Sequence, residues 1–359
     1  MLKVLTIVGA RPQFIKAAPV SRILREAEKV TECIVHTGQH FDVGMSDIFF
    51  EELDVPAPHH HLGIHGGGHG AMTGAMLQSL EPLLEAEKPD YVLVYGDTNS
   101  TLAAALAATK LHIPVAHVEA GLRSFNRRMP EEVNRILTDE IADVLFTPTS
   151  IASENLRQVG VAEHRIQQVG DVMFDAALFY AERAANRSSI LDWHGLSKGE
   201  YVLATVHRAE NTDDGERLVA IMKGLDAVAV KRPVIFPLHP RTRAALERVG
   251  FEPPNIQFID PVGYLDMVAL ESNAAVIATD SGGVQKEAFF YSVPCVTLRD
   301  ETEWVELVEM GWNRLVAADA GEIATAVCEQ VRVFGSPGAP YGDGTAATKI
   351  ADFLRDRLQ

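Results

Sequence analysis

Short runs of β-branched and aliphatic residues recur along the chain, each closed by a turn signal and followed by a longer amphipathic stretch. This alternation predicts repeated βαβ units and parallel sheets. In the first half, strands are expected over residues 3–8, 31–36, 91–95, 115–118 and 144–146. A second series is expected over 201–206, 234–236, 256–259, 275–278 and 294–298. The reading is therefore an α/β fold of two Rossmann-like domains, residues 1–170 and 171–359, joined near Val169–Met173. The last helix, about 345–358, is expected to cross back to the first domain. An active site is expected in a cleft between the halves, because strand ends of both would face it.

Composition narrows the function classes. At 359 residues the chain is long enough for two cores of ordinary size. A formal charge of −17 argues against general binding to nucleic acid or an anionic membrane, since both require a positive field. An anionic ligand must then be drawn in by local Arg, Lys and helix N-termini. No run reaches transmembrane length and the opening residues read as a strand rather than a signal peptide, so a cytoplasmic setting is expected. Cys33, Cys295 and Cys328 lack paired spacing and read as thiols in a reducing compartment.

The most informative stretch runs from His117 to Arg135. Glu119 follows an apolar strand and should stand at its carboxyl end, where open parallel sheets bind ligands. Pro130 suits a helix start, which places Glu131 and Glu132 in the first turn, and Arg123, Arg127 and Arg128 lie between. Asp97 closes another strand, in Gly-Asp-Thr-Asn-Ser-Thr, either as the N-cap of the next helix or as a third carboxylate at the same place. Like carboxylates in one cleft push their pKa values apart and so separate acid from base. His207 ends the first strand of the second series and is either a structural hydrogen-bond partner or a member of the site.

Two βα turns read as anion sites. The first strand ends in Gly9-Ala-Arg-Pro-Gln-Phe-Ile-Lys16, with Pro12 at a helix start, Arg11 at its entrance and Lys16 one turn along. It lacks the glycines of a dinucleotide turn, which disfavours bound NAD. Thr279-Asp-Ser-Gly-Gly283 joins a strand to a helix, an arrangement that aims free backbone N–H groups at an anion. His59, His60, His61, His65 and His69 lie among glycines with no carboxylate or Cys nearby in sequence, so a mobile loop ordering over substrate is expected in preference to a metal site.

Taken together, Gly9–Lys16, Gly96–Thr101, the 117–135 run, Thr205-Val-His-Arg-Ala-Glu-Asn211, Thr279–Glu287 and Pro340-Tyr-Gly-Asp-Gly344 resemble the non-hydrolysing UDP-N-acetylglucosamine 2-epimerases. The resemblance implies the glycosyltransferase-B architecture, a homodimer, no cofactor and a UDP-sugar substrate. It implies that Asp97, Glu119, Glu131 and His207 are the catalytic group. By the same resemblance Arg11 and Lys16 contact phosphates, Ser281, Gly282 and Gly283 hold the diphosphate, Glu287 holds the ribose, Met267 packs on uracil and Arg314 assists.

The implied reaction removes the C2 proton as UDP leaves, giving a 2-acetamidoglucal, and adds both back with the proton on the other face. A hydrolysing 2-epimerase and a retaining glycosyltransferase of the same fold are the alternatives, with a silent nucleotide-sugar sensor as the non-enzyme option. Gln13, where many members have Glu, and residues 39–46 depart from the family pattern, and the second departure leaves an activating UDP-N-acetylglucosamine site in question. The wording around Arg11–Lys16 and Ser124–Glu132 is similar to the branch acting on UDP-2,3-diacetamido-2,3-dideoxyglucuronic acid; Arg127 and Arg128 either meet the C6 carboxylate of such a substrate or are simply solvated.

Overall fold

A computed structural model describes residues 1–39 and 56–357. The chain divides into two compact units, one of residues 1–176 and 339–359, the other of residues 177–338. Each carries one all-parallel sheet flanked by helices. The first sheet has β1 (Leu2–Val8), β2 (Val30–His36), β3 (His60–His61), β4 (Tyr91–Tyr95), β5 (Val115–Val118), β6 (Val144–Thr147) and β7 (Ile166–Gln168), in the order β3-β2-β1-β4-β5-β6-β7. The second has β8 (Val202–Thr205), β9 (Val234–Pro237), β10 (Gln257–Ile259), β11 (Val276–Thr279), β12 (Cys295–Thr297) and β13 (Asn313–Leu315), in the order β10-β9-β8-β11-β12-β13.

Both orders reverse direction beside their first strand, between β1 and β4 and between β8 and β11. Loops leaving the carboxyl ends there diverge to opposite faces and open a crevice, the usual ligand position in such sheets. The loops at these two points are Gly9–Arg11 with Gly96–Thr98, and Val206–Arg208 with Asp280–Gly282. The central strands are buried on both faces, as βαβ sheets require, and this explains their unbroken apolar runs.

Gln13 ties the first switch point together. Its buried amide oxygen accepts from Gly9 N (2.8 Å) and Ala10 N (3.0 Å), and its amide nitrogen donates to Tyr95 O (2.8 Å) and Thr101 Oγ1 (3.0 Å). One side chain thus staples the loops after β1 and β4, using a donor end that Glu lacks. The departure at Gln13 serves the fold of the crevice floor.

The histidine-rich segment differs from the expected mobile loop. His60 and His61 form edge strand β3 on β2, His59 Nδ1 accepts from Ile34 N (3.1 Å), and His61 stacks on His36 with ring centroids 4.4 Å apart. Imidazoles can pair with backbone and with each other, so this polar run closes a sheet edge. The departure from the family pattern at 39–46 lies outside the described residues from His40 onward. Gln39 itself accepts from Ser100 N (3.0 Å) and Ser100 Oγ (2.8 Å).

The Ala346–Asp356 helix packs on the Arg11–Glu26 helix within the first unit, its first turn held by Asp175, which accepts from Ala346 N (3.2 Å) and Ala347 N (2.9 Å). Replacing Gln13 by Glu sets a carboxylate against the Tyr95 carbonyl and leaves an acceptor unmatched. A loss of about 1–3 kcal/mol is expected, read by urea unfolding of the two proteins; equal midpoints and slopes would show that the donor end is dispensable.

Candidate active site

The loops after β4 and β5 carry the two acidic residues expected there. The helix Asn99–Lys110 is capped by Thr98, whose hydroxyl accepts from Thr101 N (3.3 Å), so Asp97 is released from capping. Glu119 adopts a left-handed backbone conformation (φ 70°), a strained choice for a residue with a long side chain. Its carboxylate is ion-paired with Lys16, both side chains being nearly buried. Gly96, also left-handed (φ 61°), lies directly beneath this pair: a Cβ there would stand 3.1 Å from Glu119 Oε2 and 3.2 Å from Lys16 Nζ.

The helix Pro130–Ile141 supplies the other side of the site through a buried polar stripe. Glu132 accepts from Ser124 N (2.9 Å), Ser124 Oγ (3.0 Å), Phe125 N (3.1 Å) and Arg135 Nη1 (2.9 Å). Burial alone would raise the Glu132 pKa, but the Ser124 donors, Arg135 and the Phe125 N–H hold it below the ordinary carboxylate value. Arg135 is ion-paired through Nη2 with Asp97 as well. Burial favours its neutral form, but Asp97, Glu132 and Glu119 outweigh that and raise its pKa. Asn134 Nδ2 donates to Asp97 O (2.9 Å) and Asn99 Oδ1 (3.2 Å). Further along, Asp139 bonds His117 Nδ1 (2.8 Å) and Gly121 N (3.2 Å), while His117 Nε2 bonds Gly96 O (2.8 Å).

Asp97, Glu119, Lys16 and Arg135 are therefore brought together. Glu131 is exposed on the first turn, one residue before the buried Glu132. Of the three arginines between these acids in sequence, Arg123 pairs with Asp139 (2.6 Å), while Arg127 and Arg128 are exposed on the loop that Glu132 pins. Arg11 is the exposed first residue of its helix and Pro12 the second. Arg135 was missed by sequence reasoning, and Glu132, read only as a first-turn acid beside Glu131, was not assigned a place in the site. The signal lay in the polar residues at 132, 135 and 139, spaced as one helical face.

In the second unit, Asp280 is fully buried at the end of β11 and organises the neighbouring loop. Its carboxylate accepts from His207 N (3.0 Å), Arg208 N (2.9 Å) and Asn211 Nδ2 (3.1 Å). His207 is half-buried, with Nδ1 3.8 Å from Asp280 Oδ1 and its ring 5.4 Å from that of His239. Burial, His207 and Arg241 hold the His239 pKa below the ordinary histidine value.

Ser281 caps the helix Gly282–Phe290, its hydroxyl accepting from Val284 N (3.4 Å). Gly282 faces Glu303: a Cβ there would stand 2.4 Å from Glu303 Oε1 and would push that carboxylate aside. Gly283 is open to solvent. Glu303 pairs with Arg299 (2.7 Å) and lies 3.6 Å from Arg208, which places two guanidinium groups near this helix start. Met267 and Glu287 are half-buried. Arg314, on edge strand β13, is paired with Glu329 (2.6 Å), whereas its neighbour Asn313 reaches Gln285 on the same helix (3.4 Å).

Tertiary structure does bring a Cys and a carboxylate to the histidine segment. The ligand atoms of Cys33, His60 and Glu87 lie within 4.8 Å of one another. Glu87 already bonds the Lys3 ammonium (2.6 Å) and His60 Nε2 (2.8 Å), so a fixed cation neutralises it.

Two Rossmann-like units, one with a cation-matched acid pair and one with a glycine helix start flanked by arginines, make this a two-unit α/β protein of the doubly wound class. A family model for UDP-N-acetylglucosamine 2-epimerase matches residues 22–355, and the chain belongs to that family. It is 54% identical over 357 residues to the UDP-2,3-diacetamido-2,3-dideoxy-D-glucuronate 2-epimerase of Pseudomonas aeruginosa, covering 98% of this chain and 99% of that one. It is 44% identical over 362 residues to the UDP-N-acetylglucosamine 2-epimerase of Methanocaldococcus jannaschii, with 98% and 99% covered. The structure of the latter enzyme with UDP-GlcNAc and UDP is similar at a TM-score of 0.87 over 99% of this chain and 100% of that one, at 43% identity. The UDP-GlcNAc-bound enzyme of Neisseria meningitidis gives 0.88 at 31% identity, again with 99% and 100% covered. Among the described residues no helix is long and apolar enough to cross a membrane.

Replacing Gly96 by Ala adds a left-handed alanine and drives a methyl into the Lys16–Glu119 pair. Turnover is expected to fall about 100-fold, the scale of a displaced catalytic group. Circular dichroism and initial rates check this; a folded variant of normal rate would show that the pair tolerates displacement.

Proposed function

We propose that this chain inverts C2 of a UDP-2-acetamido sugar without net hydrolysis, and that its substrate is UDP-2,3-diacetamido-2,3-dideoxyglucuronic acid. The observation that carries the chemistry is the pair Asp97 and Glu119, on the loops after adjacent parallel strands, each matched to a cation and both within the field of Arg135. In the elimination, a carboxylate takes the C2 proton as the C1–O bond to the diphosphate breaks, leaving a C1=C2 double bond and UDP. Return of a proton to the opposite face of C2, with re-addition of UDP at C1, completes the inversion. Glu131, exposed at a helix start, is the third acid–base candidate.

The second unit would hold UDP. Ser281, Gly282 and Gly283 offer a helix N-terminus to the diphosphate, and Arg11, Lys16 and His207 would support the leaving phosphate. Glu287, Met267 and Arg314 are assigned to ribose, uracil and diphosphate respectively. No nicotinamide or metal is needed by this route.

The uronate reading draws on the substrate named for the Pseudomonas relative and on Arg127 and Arg128, exposed on a loop pinned at its base. Exposed ion pairs contribute about 1 kcal/mol or less, so each Arg→Met change should lower the uronate kcat/KM by roughly fivefold and leave UDP-N-acetylglucosamine unaffected. Proton NMR in deuterated water tests the whole reading. Deuterium should enter the product at C2 without added NAD, with the uronate preferred; retained C2 hydrogen excludes elimination, and free 2-acetamido sugar with UDP as the end product points to the hydrolysing branch.

We further propose a cytoplasmic homodimer. The helix Pro130–Ile141 exposes Val133 and Leu137, in line with its N-cap Met129 at spacings of four residues, an apolar stripe that a second copy would cover. Changing Leu137 to Asp should shift the protein toward monomer in sedimentation velocity; an unchanged dimer, or a monomer in the unmodified protein, would remove this surface.

A further inference from the structure

We propose that Arg135 and Glu132 are positioning residues for Asp97, forming a relay that ties its carboxylate to the 122–129 loop. The inference rests on the reading of Asp97 as an acid–base group. Arg135 bonds Asp97 through one terminal nitrogen and Glu132 through the other (2.9 Å), while its Nε has no hydrogen-bond partner among the described residues. Among those residues the two carboxylates set the plane of the guanidinium. Glu132 is fixed in turn by three further donors, two from Ser124 and one from Phe125 N.

The backbone at Asp97 is held separately, because Asn134 Nδ2 donates to the Asp97 carbonyl (2.9 Å) and Thr98 caps the following helix. Loss of Arg135 thus leaves the loop in place and frees only the Asp97 side chain. A neutral Gln at 132 keeps one acceptor oxygen: facing Ser124 N it offers Arg135 a weaker oxygen and meets Phe125 N with an amide nitrogen, and turned the other way it meets Arg135 and Ser124 N with that nitrogen, so the relay loosens one step back. Phe125, the loop residue whose N–H reaches Glu132, is exposed and left-handed (φ 58°). A strained aromatic displayed on a pinned loop is a surface a bound sugar would contact, so the relay would report loop seating to Asp97.

The test compares Arg135→Met, Arg135→Lys, Glu132→Gln and the Glu132→Gln/Arg135→Met double variant with the unmodified protein. Steady-state kinetics, UDP affinity by calorimetry and C2 deuterium exchange are measured for each. Arg135→Met should lower kcat about 100-fold, the cost of a displaced catalytic group, with KM and the UDP Kd within about twofold. Arg135→Lys, which keeps one charge–charge contact, should recover about tenfold of that loss. Glu132→Gln should lower kcat by about tenfold, and the double variant should match Arg135→Met because both changes act through one chain of contacts.

Multiplying losses in the double variant, a loss confined to KM or UDP affinity, or a normal kcat in Arg135→Met overturns the relay. If Arg135→Met does not fold, Arg135→Lys and Glu132→Gln carry the same test through their kcat against KM. Absence of C2 exchange in the unmodified protein instead sinks the acid–base reading itself, so the two failures are distinguishable.

Discussion

A guanidinium taken out of water loses several kcal/mol of hydration, and only close carboxylates in good geometry return it. Arg135 is in that position, and the first unit is arranged around meeting its demand. Asp97, Glu132 and, through its field, Glu119 answer the charge, and each stands on a different segment. Their restraint is unequal: Glu119 also has Lys16 and Glu132 has the Ser124 and Phe125 donors, whereas the Asp97 carboxylate is held by Arg135. The helix Pro130–Ile141 makes this possible by inverting the usual pattern. It buries Glu132, Asn134 and Asp139 and exposes Val133 and Leu137, so its inward face is a polar clamp on the loops after β4 and β5.

The second unit solves the same problem with less charge. Asp280 gathers the loop after β8 using backbone and amide N–H groups, which orient a carboxylate without requiring a buried cation. Neutral donors leave the nearby arginines, Arg208 and Arg299, to face Glu303 beside Gly282. One unit therefore presents acids restrained by cations, and the other presents cations beside a helix start.

The central strands were legible because burial on both faces writes an uninterrupted apolar run. β3, β7 and β13 were not, since each is a short, half-polar edge strand whose pairing depends on a neighbour rather than on its own pattern. At the site, Asp97 and Glu119 could be read as strand-end acids, as could the glycine helix start at 282. Their partners could not, because the contact of Lys16 with Glu119 spans two βα turns far apart in sequence. Glu131 and Glu132 show the sharpest limit: adjacent residues differ by about 100° around a helix axis, which is the difference between solvent and a buried network. The histidine segment misled for a similar reason, since Cys33 and Glu87 reach it only through the sheet.

The Ala346–Asp356 helix, docked on the Arg11–Glu26 helix, has a consequence for the order of events at the ribosome. The second unit is made of one unbroken segment, residues 177–338, and has all of its chain before residue 339 is added. The opening helix of the first unit rests on β1, β2 and β4, all made early, but the face that meets residues 346–356 gains that cover only after the chain of the other unit has been made. Vectorial synthesis thus leaves one face of the acid-bearing unit to be covered after the whole intervening unit.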